Sequence, residues 1–259
     1  MYRRIDNQPA GRDGGFSGHH TARIPSFPKL RGGSPEGLGN VYSFPKGIIY
    51  HRFNAGRNGF SRALAGFVEG IFDFAGAVLL LIALAPVLLL IAAAIKLDSR
   101  GPVFFRQERH GRRGTIFRIY KFRTMHVLES GASAMQCRKD DPRVTRVGAL
   151  LRKASLDELP QLINVLQGDM ALVGPRPHPI NLEREFAPRV RRYGQRYAVK
   201  PGMTGLAQIR GYRGPTATLA DMTTRVASDL EYVRHRSLAF DLWILFKTIP
   251  AVLARCNAF

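Results

Sequence analysis

A run of 22 residues without a charged side chain, from Phe74 to Ile95, constrains this chain more than any other feature of its sequence. A helix of this length and apolarity is long enough to enter or cross the hydrocarbon core of a bilayer. Pro86 lies near the centre of the run, and a proline inside a helix removes a backbone hydrogen bond and clashes with the preceding turn. The run therefore predicts a membrane helix that is either kinked and spanning or broken at Pro86. A buried helix of a soluble protein is the alternative.

Basic residues flank the apolar run on both sides. Arg52, Arg57 and Arg62 precede it, and Lys96, Arg100, Arg106, Arg109, Arg112 and Arg113 follow it. Basic flanks favour the cytoplasmic side of a membrane, so a helix that crossed the bilayer would place one flank on the unfavoured side. The charge pattern therefore favours a re-entrant helix-break-helix, over about residues 71–96, that returns to the face by which it entered.

The whole chain is strongly basic, because 39 Lys and Arg outnumber 19 Asp and Glu, for a formal net charge of +20. Such a surplus attracts polyanions, which include nucleic acid, anionic lipid headgroups and phosphorylated substrates. Residues 1–60 are rich in Gly, Pro and basic residues and have few regularly spaced apolar positions. Such a segment buries too little apolar surface to offset the entropy of ordering it, so we expect a flexible basic N-terminal arm.

The residues after the apolar run predict a small β-element followed by helices. Two β-prone stretches, 103–105 and 116–122, flank the turn-forming sequence 111–114, which indicates a β-hairpin. Helical patterning begins near Val144. The segment 238–253 is apolar apart from Asp241 and Lys247, which is typical either of an interfacial helix in the headgroup plane or of a helix packed in the core.

The pair Asp157-Glu158 is the first candidate for chemistry. Ser155 and Glu158 have the spacing of a capping box, which predicts a helix start at this point. A helix N-terminus favours an ionised carboxylate and a nearby phosphate, and the ionised carboxylate is the form that attacks phosphorus. The pattern alone is compatible with a structural cap, with a nucleophile, or with both.

Basic residues around this pair are candidate phosphate ligands. Arg152 precedes Asp157, and the rigid turn 174–177 presents Arg176. A guanidinium group binds phosphate oxygens through two parallel hydrogen bonds. At the end of the predicted hairpin, strand alternation places Lys121 and Arg123 on one face, where they would also meet phosphate. An ordinary solvated charge is the alternative for each of these residues.

Four sequence blocks in a fixed order carry more information than any of these residues singly. They read Lys-Phe-Arg-Thr-Met (121–125), Ser-Leu-Asp-Glu-Leu-Pro-Gln-Leu-Ile-Asn-Val-Leu (155–166), Gly-Asp-Met-Ala-Leu-Val-Gly-Pro-Arg-Pro (168–177) and Lys-Pro-Gly-Met-Thr-Gly-Leu-Ala-Gln (200–208). Together with residues 95–109, they closely resemble the bacterial sugar transferase family, the monotopic phosphoglycosyl transferases of exopolysaccharide and glycan assembly. The resemblance extends from about residue 69 to residue 255.

The resemblance implies a reaction and the residues that perform it. Asp157 and Glu158 correspond to a catalytic dyad, in which the aspartate attacks the β-phosphorus of a UDP-sugar, forms a phosphosugar-aspartate and releases UMP. Polyprenyl (undecaprenyl) phosphate then accepts the sugar phosphate. Mg²⁺ assists, with Asp157 and Glu158 beside it. Arg152 and Arg176 correspond to the family's phosphate ligands, and Pro86 to the break in its re-entrant helix.

These expectations combine into one architecture. We expect an α-rich α+β fold: a flexible arm over residues 1–60, then a transferase domain over 61–255 whose catalytic part, from about residue 97, holds the β-hairpin and interfacial amphipathic helices. It is expected at the cytoplasmic face of a bacterial inner membrane, in contact with lipid, with other exopolysaccharide assembly enzymes as candidate partners and without nucleic acid. The rival hypotheses are a membrane-tethered polyanion-binding protein and a scaffold relative without turnover. The sequence specifies neither the sugar nor the oligomeric state.

Overall fold

The computed structural model describes residues 59–126, 141–212, 214, 216 and 218–253. The first 58 residues, and with them nearly all of the predicted basic arm, lie outside this range. In chain order the helices and strands are α1 (Gly59–Asp98), β1 (Phe104–His110), β2 (Ile116–Phe122), α2 (Arg146–Ala154), α3 (Gln161–Leu166), β3 (Ala171–Val173), α4 (Ile180–Phe186), β4 (Gly202–Thr204), α5 (Leu206–Ile209), α6 (Leu219–His235) and α7 (Leu238–Leu253). The predicted α-rich fold with a small β-element is confirmed.

Helix α1 contains the apolar run and is the one helix among the described residues that is long and apolar enough to cross a membrane. Its secondary structure continues through Pro86 as one helical segment, and the re-entrant break at Pro86 stays a prediction. A proline inside a helix costs about 3 kcal/mol. Leu84 and Leu88, on either side of Pro86, pack against buried apolar clusters, and this packing offsets the cost.

The apolar run of α1 is attached to the rest of the fold near both of its ends. Near the start of the apolar run, Asp73 Oδ1 accepts a hydrogen bond from the backbone N–H of Leu172 at 2.9 Å. At the other end, Asp98 Oδ2 accepts one from the backbone N–H of Val147 at 3.2 Å. Between these points Ala77 is buried, whereas the side chains on the opposite face are exposed: Leu79, Ile82, Leu89 and Leu90 are each about 70 % accessible. One face of the helix therefore belongs to the core, and the other is a bare apolar surface.

Two small sheets stand beside α1. Strands β1 and β2 form the predicted antiparallel hairpin, with Phe104 opposite Phe122 and His110 opposite Ile116. Strands β3 and β4 pair in parallel, with Ala171 opposite Gly202. The main hydrophobic core gathers one side of each of these sheets with α1, α3 and the helices α6 and α7.

Helix α7 has the bounds that the sequence predicts for the apolar segment 238–253. Phe240 and Ile244 are buried in the core, while Leu242, Phe246 and Ile249 are exposed. One side of α7 is therefore a core helix, while its other side is apolar and accessible, and a position in the headgroup plane stays a prediction.

Candidate active site

The Asp157-Glu158 pair lies on a tight turn between two helices. Helix α2 ends at Ala154, Ser155 adopts a left-handed backbone conformation with φ of 59°, and a 3-10 turn spans Leu156–Glu158 before α3 begins. The capping box predicted for Ser155 and Glu158 is wrong, because Ser155 makes no side-chain capping bond and its backbone closes α2. The charges of neighbouring side chains, and not a helix N-terminus, therefore set the ionisation of these two carboxyl groups.

Glu158 is buried and binds two cations. Its Oε1 accepts a hydrogen bond from Lys121 Nζ at 2.8 Å, and its Oε2 accepts one from Arg176 Nη1, also at 2.8 Å. Arg176 Nη2 donates to Oε1 as well, so the guanidinium and the carboxylate form a two-pronged pair. Burial lowers the pKa of Lys121, and the nearby Glu158 carboxylate works against that shift and favours the charged amine. Glu158 therefore fixes the positions of two predicted phosphate ligands.

The carboxylate of Asp157, unlike that of Glu158, makes no hydrogen bond or ion pair with any residue that the structure describes. Burial raises the pKa of Asp157, and the negative charge of Glu158 raises it further. Lys121, Arg152 and Arg176 all act in the opposite direction and favour the ionised form. Asp157 is thus a half-buried carboxylate without a structural partner, placed among three cations.

Arg152 is oriented by the strand that carries Lys121. Its Nε donates a hydrogen bond to Thr124 Oγ1 at 2.8 Å, just beyond the end of β2. Thr124 itself lies directly against α2, since a Cβ on Gly148 would lie 2.2 Å from the Thr124 carbonyl oxygen. The close contact between α2 and the end of β2 therefore brings Arg152 toward Asp157.

The turn that presents Arg176 is held by backbone bonds to the segment around β4. Gly174 N donates to Thr204 O at 2.9 Å, and Gly202 N donates to Pro175 O at 3.0 Å. A Cβ on Gly174 would lie 2.5 Å from the Lys200 carbonyl oxygen, so the glycine is required for the two segments to approach. The Gly-Pro-framed turn that the sequence predicts is therefore a rigid support for one arginine.

Arg123 has a different role from the one that strand alternation predicts. Its five N–H groups donate to oxygens at the C-terminal end of α1 and the loop after it: Ile95 O, Ser99 O, Ser99 Oγ, Arg100 O and Pro102 O. Only Ile95 O belongs to α1, and the other four oxygens lie in the segment 99–102 that follows the helix. In this conformation Arg123 has no donor left for a phosphate, so it joins α1 to the site strand and does not line the site.

Sequence reasoning missed a buried polar network behind the Arg176 turn. Arg196 Nη2 donates to the carbonyl oxygen of Arg176 at 2.5 Å, and Arg196 Nε binds Asp229 Oδ2 at 2.8 Å in a fully buried ion pair. Arg109 Nη1 donates to Pro177 O at 3.3 Å from the other side. No local motif marks these residues, since their partners lie far apart in the chain. The one sequence feature that pointed toward such a network was the large number of arginines in the chain.

The carboxylates at the site suit a metal that arrives with its substrate better than a resident metal. Within the described ranges, no group of three or more His, Cys, Asp or Glu side chains converges on one point. Mg²⁺ needs only one or two carboxylates when substrate phosphates and water complete its shell. The unpartnered carboxylate of Asp157 fits that donor set, whereas both oxygens of Glu158 already accept hydrogen bonds from cations.

Comparison with known proteins decides the family. A model of the family described as "Bacterial sugar transferase" matches residues 64–255. The chain belongs to the bacterial sugar transferase family. The family assignment confirms what the sequence blocks predict, and the match includes the dyad, its cations and the whole of the apolar run.

Three relatives indicate which branch of the bacterial sugar transferases is nearby. A protein of Caulobacter vibrioides named UDP-glucose:undecaprenyl-phosphate glucose-1-phosphate transferase is 50% identical over 189 residues, which cover 73% of this chain and 71% of that protein. An Escherichia coli K12 protein of the same name is 50% identical over 177 residues, but the match covers 68% of this chain and only 38% of the longer protein. The exopolysaccharide production protein PSS of Rhizobium leguminosarum is 47% identical over 192 residues, covering 73% of this chain and 96% of the relative.

Proposed function

We propose that this chain transfers glucose-1-phosphate from UDP-glucose to undecaprenyl phosphate, with Asp157 as the nucleophile. The observation that carries the proposal is the contrast between two adjacent carboxylates. Glu158 is fully occupied by Lys121 and Arg176, while Asp157 is unpartnered among the same cations. The choice of glucose rests on the names of the Caulobacter and Escherichia relatives.

The reaction proceeds in two displacements at one phosphorus atom. In the first, a carboxylate oxygen of Asp157 forms a bond to the β-phosphorus, the bond from that phosphorus to the oxygen bridging it to the α-phosphate breaks, and UMP leaves with the electron pair. In the second, an oxygen of undecaprenyl phosphate attacks the same phosphorus, and the bond to Asp157 breaks. The carboxylate is restored, and no proton is needed to activate either nucleophile.

The cations around Asp157 supply the stabilisation that these steps require. Negative charge increases on the phosphoryl oxygens and on the departing phosphate, and fixed cations aimed at that charge lower the barrier. Lys121 and Arg176 are positioned by Glu158, and Arg152 is positioned by Thr124. Glu158 is therefore a positioning residue: its charge holds Lys121 and Arg176, so that neither forms an ion pair with the nucleophile that would lower its reactivity.

Mg²⁺ is proposed as the metal, bound with the diphosphate and held by Asp157, with Glu158 nearby. When bound, it would neutralise diphosphate charge and favour the ionised form of the Asp157 carboxyl. Addition of a chelator should abolish UMP release, and Mg²⁺ should restore it.

Membrane attachment from one side is proposed as well, with the active site at the cytoplasmic face of the inner membrane. Asp73 and Asp98, which flank the apolar run of α1, both bind the same domain, which suits a helix that enters and leaves by one face. A bend at Pro86 would allow this path. The exposed apolar faces of α1 and α7 would lie in the lipid. Such a position would bring the site close to the phosphate of a lipid carrier.

The test is turnover and trapping with the full chain in lipid nanodiscs. With labelled UDP-glucose and undecaprenyl phosphate, the wild-type chain should release UMP and form labelled lipid. Asp157→Asn should lose both, while Glu185→Gln, which removes an exposed charge on α4, should retain them. Without undecaprenyl phosphate, the wild-type chain should accumulate one glucose phosphate on the peptide that contains Asp157.

Two results would contradict the proposal. Full activity of Asp157→Asn would show that Asp157 is not the nucleophile. Turnover that occurs only when both substrates are bound, with no adduct on the protein, would show direct transfer and not a covalent intermediate. A panel of UDP-sugars run in the same assay tests the choice of glucose, because a higher kcat/KM for another sugar would overturn it.

A further inference from the structure

Strand β1 has a row of side chains on the same face of the hairpin as Lys121. In the antiparallel pairing, Phe105 stands opposite Lys121 and Gln107 opposite Ile119, and residues paired in this way share one face of the sheet. Lys121 reaches Glu158 from this face. Gln107 and Lys121 are diagonal neighbours, about 7–8 Å apart, which is within reach of long side chains. Gln107 therefore lies beside the cations of the dyad, although the proposed chemistry gives it no role.

One neighbour fixes the orientation of the Gln107 carboxamide. Arg109 Nη2 donates a hydrogen bond to Gln107 Oε1 at 2.6 Å. A guanidinium group has donors only, so the atom that it contacts must be the amide oxygen, and the amide nitrogen is turned away from Arg109. Arg109 is itself buried and donates through Nη1 to the carbonyl oxygen of Pro177. The carboxamide is therefore held by its oxygen, and the direction of its N–H donors follows from that contact.

The amide nitrogen of Gln107 is the free end of this arrangement. It makes no hydrogen bond with any residue in the described part of the chain, and water reaches it, since it is not one of the buried unpartnered atoms of that part. The residue as a whole is half-buried. A donor that is already held in place needs no reorganisation when an acceptor arrives, which makes such donors effective at reaction centres.

The charges around this nitrogen indicate which acceptor it suits. Burial lowers the pKa of Arg109 to about 10, and the charge of Arg176 lowers it further. Burial also lowers the pKa of Lys121, and Arg176 and Arg109 both add to that decrease. Three cations therefore lie close enough to affect one another on the side where Gln107 stands. An anionic oxygen is the acceptor that such surroundings favour, because it relieves the repulsion among them.

We propose that Gln107 Nε2 donates a hydrogen bond to a phosphate oxygen of the nucleotide sugar, beside the proposed phosphate ligands Lys121 and Arg176. The proposal rests on the proposed function. A hydrogen bond to an ionised acceptor is shorter and stronger than one between neutral groups. A neutral donor also supplies this contact without adding a fourth positive charge to the cluster. Gln107 is in that case a catalytic residue, and the α- and β-phosphates are the two sources of its acceptor.

Two substitutions separate a bond to substrate from a role in holding Arg109. Gln107→Glu keeps an oxygen for Arg109 but has no donor at neutral pH, whereas Gln107→Met has the length of glutamine and no polar group. We expect both to lower kcat/KM for UDP-glucose about 10–100-fold, which is the size of a lost hydrogen bond to a charged group. Gln107→Glu should keep a Tm within a few degrees of the wild type. Glu108→Met is the control, because Glu108 is exposed on the opposite face of the same strand, and its activity should match the wild type.

The two half-reactions, measured separately in nanodiscs, show which phosphate accepts the bond. The first is formation of the adduct on Asp157 without undecaprenyl phosphate, and the second is transfer from that adduct when undecaprenyl phosphate is added. If the β-phosphate accepts, Gln107→Met slows both steps, because the same phosphorus reacts in each. If the α-phosphate accepts, only the first step slows, because UMP has left before the second. Either result supports the proposal.

Three results would overturn it while the wild type still turns over, so that the proposed function stands. Activity of Gln107→Glu within threefold of the wild type would mean that Gln107 only holds Arg109. Wild-type activity of Gln107→Met would mean that no bond to substrate exists, and a loss confined to Gln107→Glu would then be charge repulsion. A defect in the second half-reaction alone would assign the bond to the lipid phosphate. Absence of turnover in the wild type refutes the proposed function and this proposal together. If Gln107→Met does not fold, Gln107→Asn, which withdraws the donor without adding charge, takes its place with the same outcomes.

Discussion

Neutralising Glu158 should destabilise the protein, although this residue is not the proposed nucleophile. Glu158→Gln keeps the shape of the side chain but removes the charge that pairs with Lys121 and Arg176. The side chains of these three residues are only 11%, 18% and 20% exposed, so water replaces the lost partner poorly. Breaking a buried ion pair costs about 3–5 kcal/mol, and the partial exposure of the cations places the expected loss near the lower end.

Thermal unfolding in nanodiscs measures this loss. For a domain of this size, 1 kcal/mol shifts the Tm by roughly 2–4 °C, so a loss of about 3 kcal/mol predicts a decrease of about 6–12 °C. A double-mutant cycle assigns the effect to the ion pair. Lys121→Met combined with Glu158→Gln should be less destabilising than the sum of the single changes, with a coupling energy of about 1–2 kcal/mol.

Glu185→Gln provides the matched control, because the loss of an exposed charge changes stability by about 0.5 kcal/mol or less. A Glu158→Gln chain that unfolds within a degree or two of this control would show that the carboxylate does not hold its cations. Strict additivity in the cycle would contradict the contact between Lys121 and Glu158 specifically.

Three further predictions concern other parts of the fold. Burial raises the pKa of Asp241 to about 7, so as pH rises from 3.8 toward 7 the unfolded state loses this proton before the folded state does, and the free energy of unfolding falls. Asp241→Asn should remove that decrease and should be more stable than the wild type at pH 8 by roughly 2–4 kcal/mol. A variant whose Tm has the same pH dependence as the wild type would contradict the burial of this carboxyl. Thr218→Ala removes the capping box at the start of α6 and should cost about 1 kcal/mol in chemical or thermal unfolding, whereas an unchanged midpoint would mean that the cap is dispensable. Gly148→Ala would drive a methyl group into the carbonyl of Thr124, so we expect loss of turnover together with a lower Tm, and wild-type kinetics would show that α2 can move away at little cost.

Local patterns in the sequence predicted the elements well. The β-prone stretch 116–122 became β2 with the same bounds, the stretch 103–105 marked only the start of β1, and the apolar segment 238–253 became α7. These patterns succeed because alternation and apolar continuity depend on residues close in the chain. The order of the four sequence blocks identified the family for a related reason, since each block forms one turn or strand end of the site.

Long-range contacts explain what the sequence did not predict. Strand β2 ends at Phe122, so alternation no longer applies to Arg123, which turns instead to the backbone carbonyls of the loop after α1. Ser155 has the spacing of a cap, but its left-handed backbone is set by the junction of α2 with the dyad turn. The acceptors of Arg123 are 23 and 24 residues away in the chain, whereas the bonds that close α2 at Ser155 are local and go to Leu151 and Arg152.

The attachment of α1 limits how the protein can be made water-soluble. Ala77, Ile91 and Ile95 are part of the interior, and the loop that follows α1 supplies most of the acceptors of Arg123. Excising the anchor would therefore uncover the hydrophobic interior and release the loop that pairs with a buried guanidinium. Solubilisation is better attempted by replacing the outward-facing leucines and isoleucines of the intact helix than by deleting it.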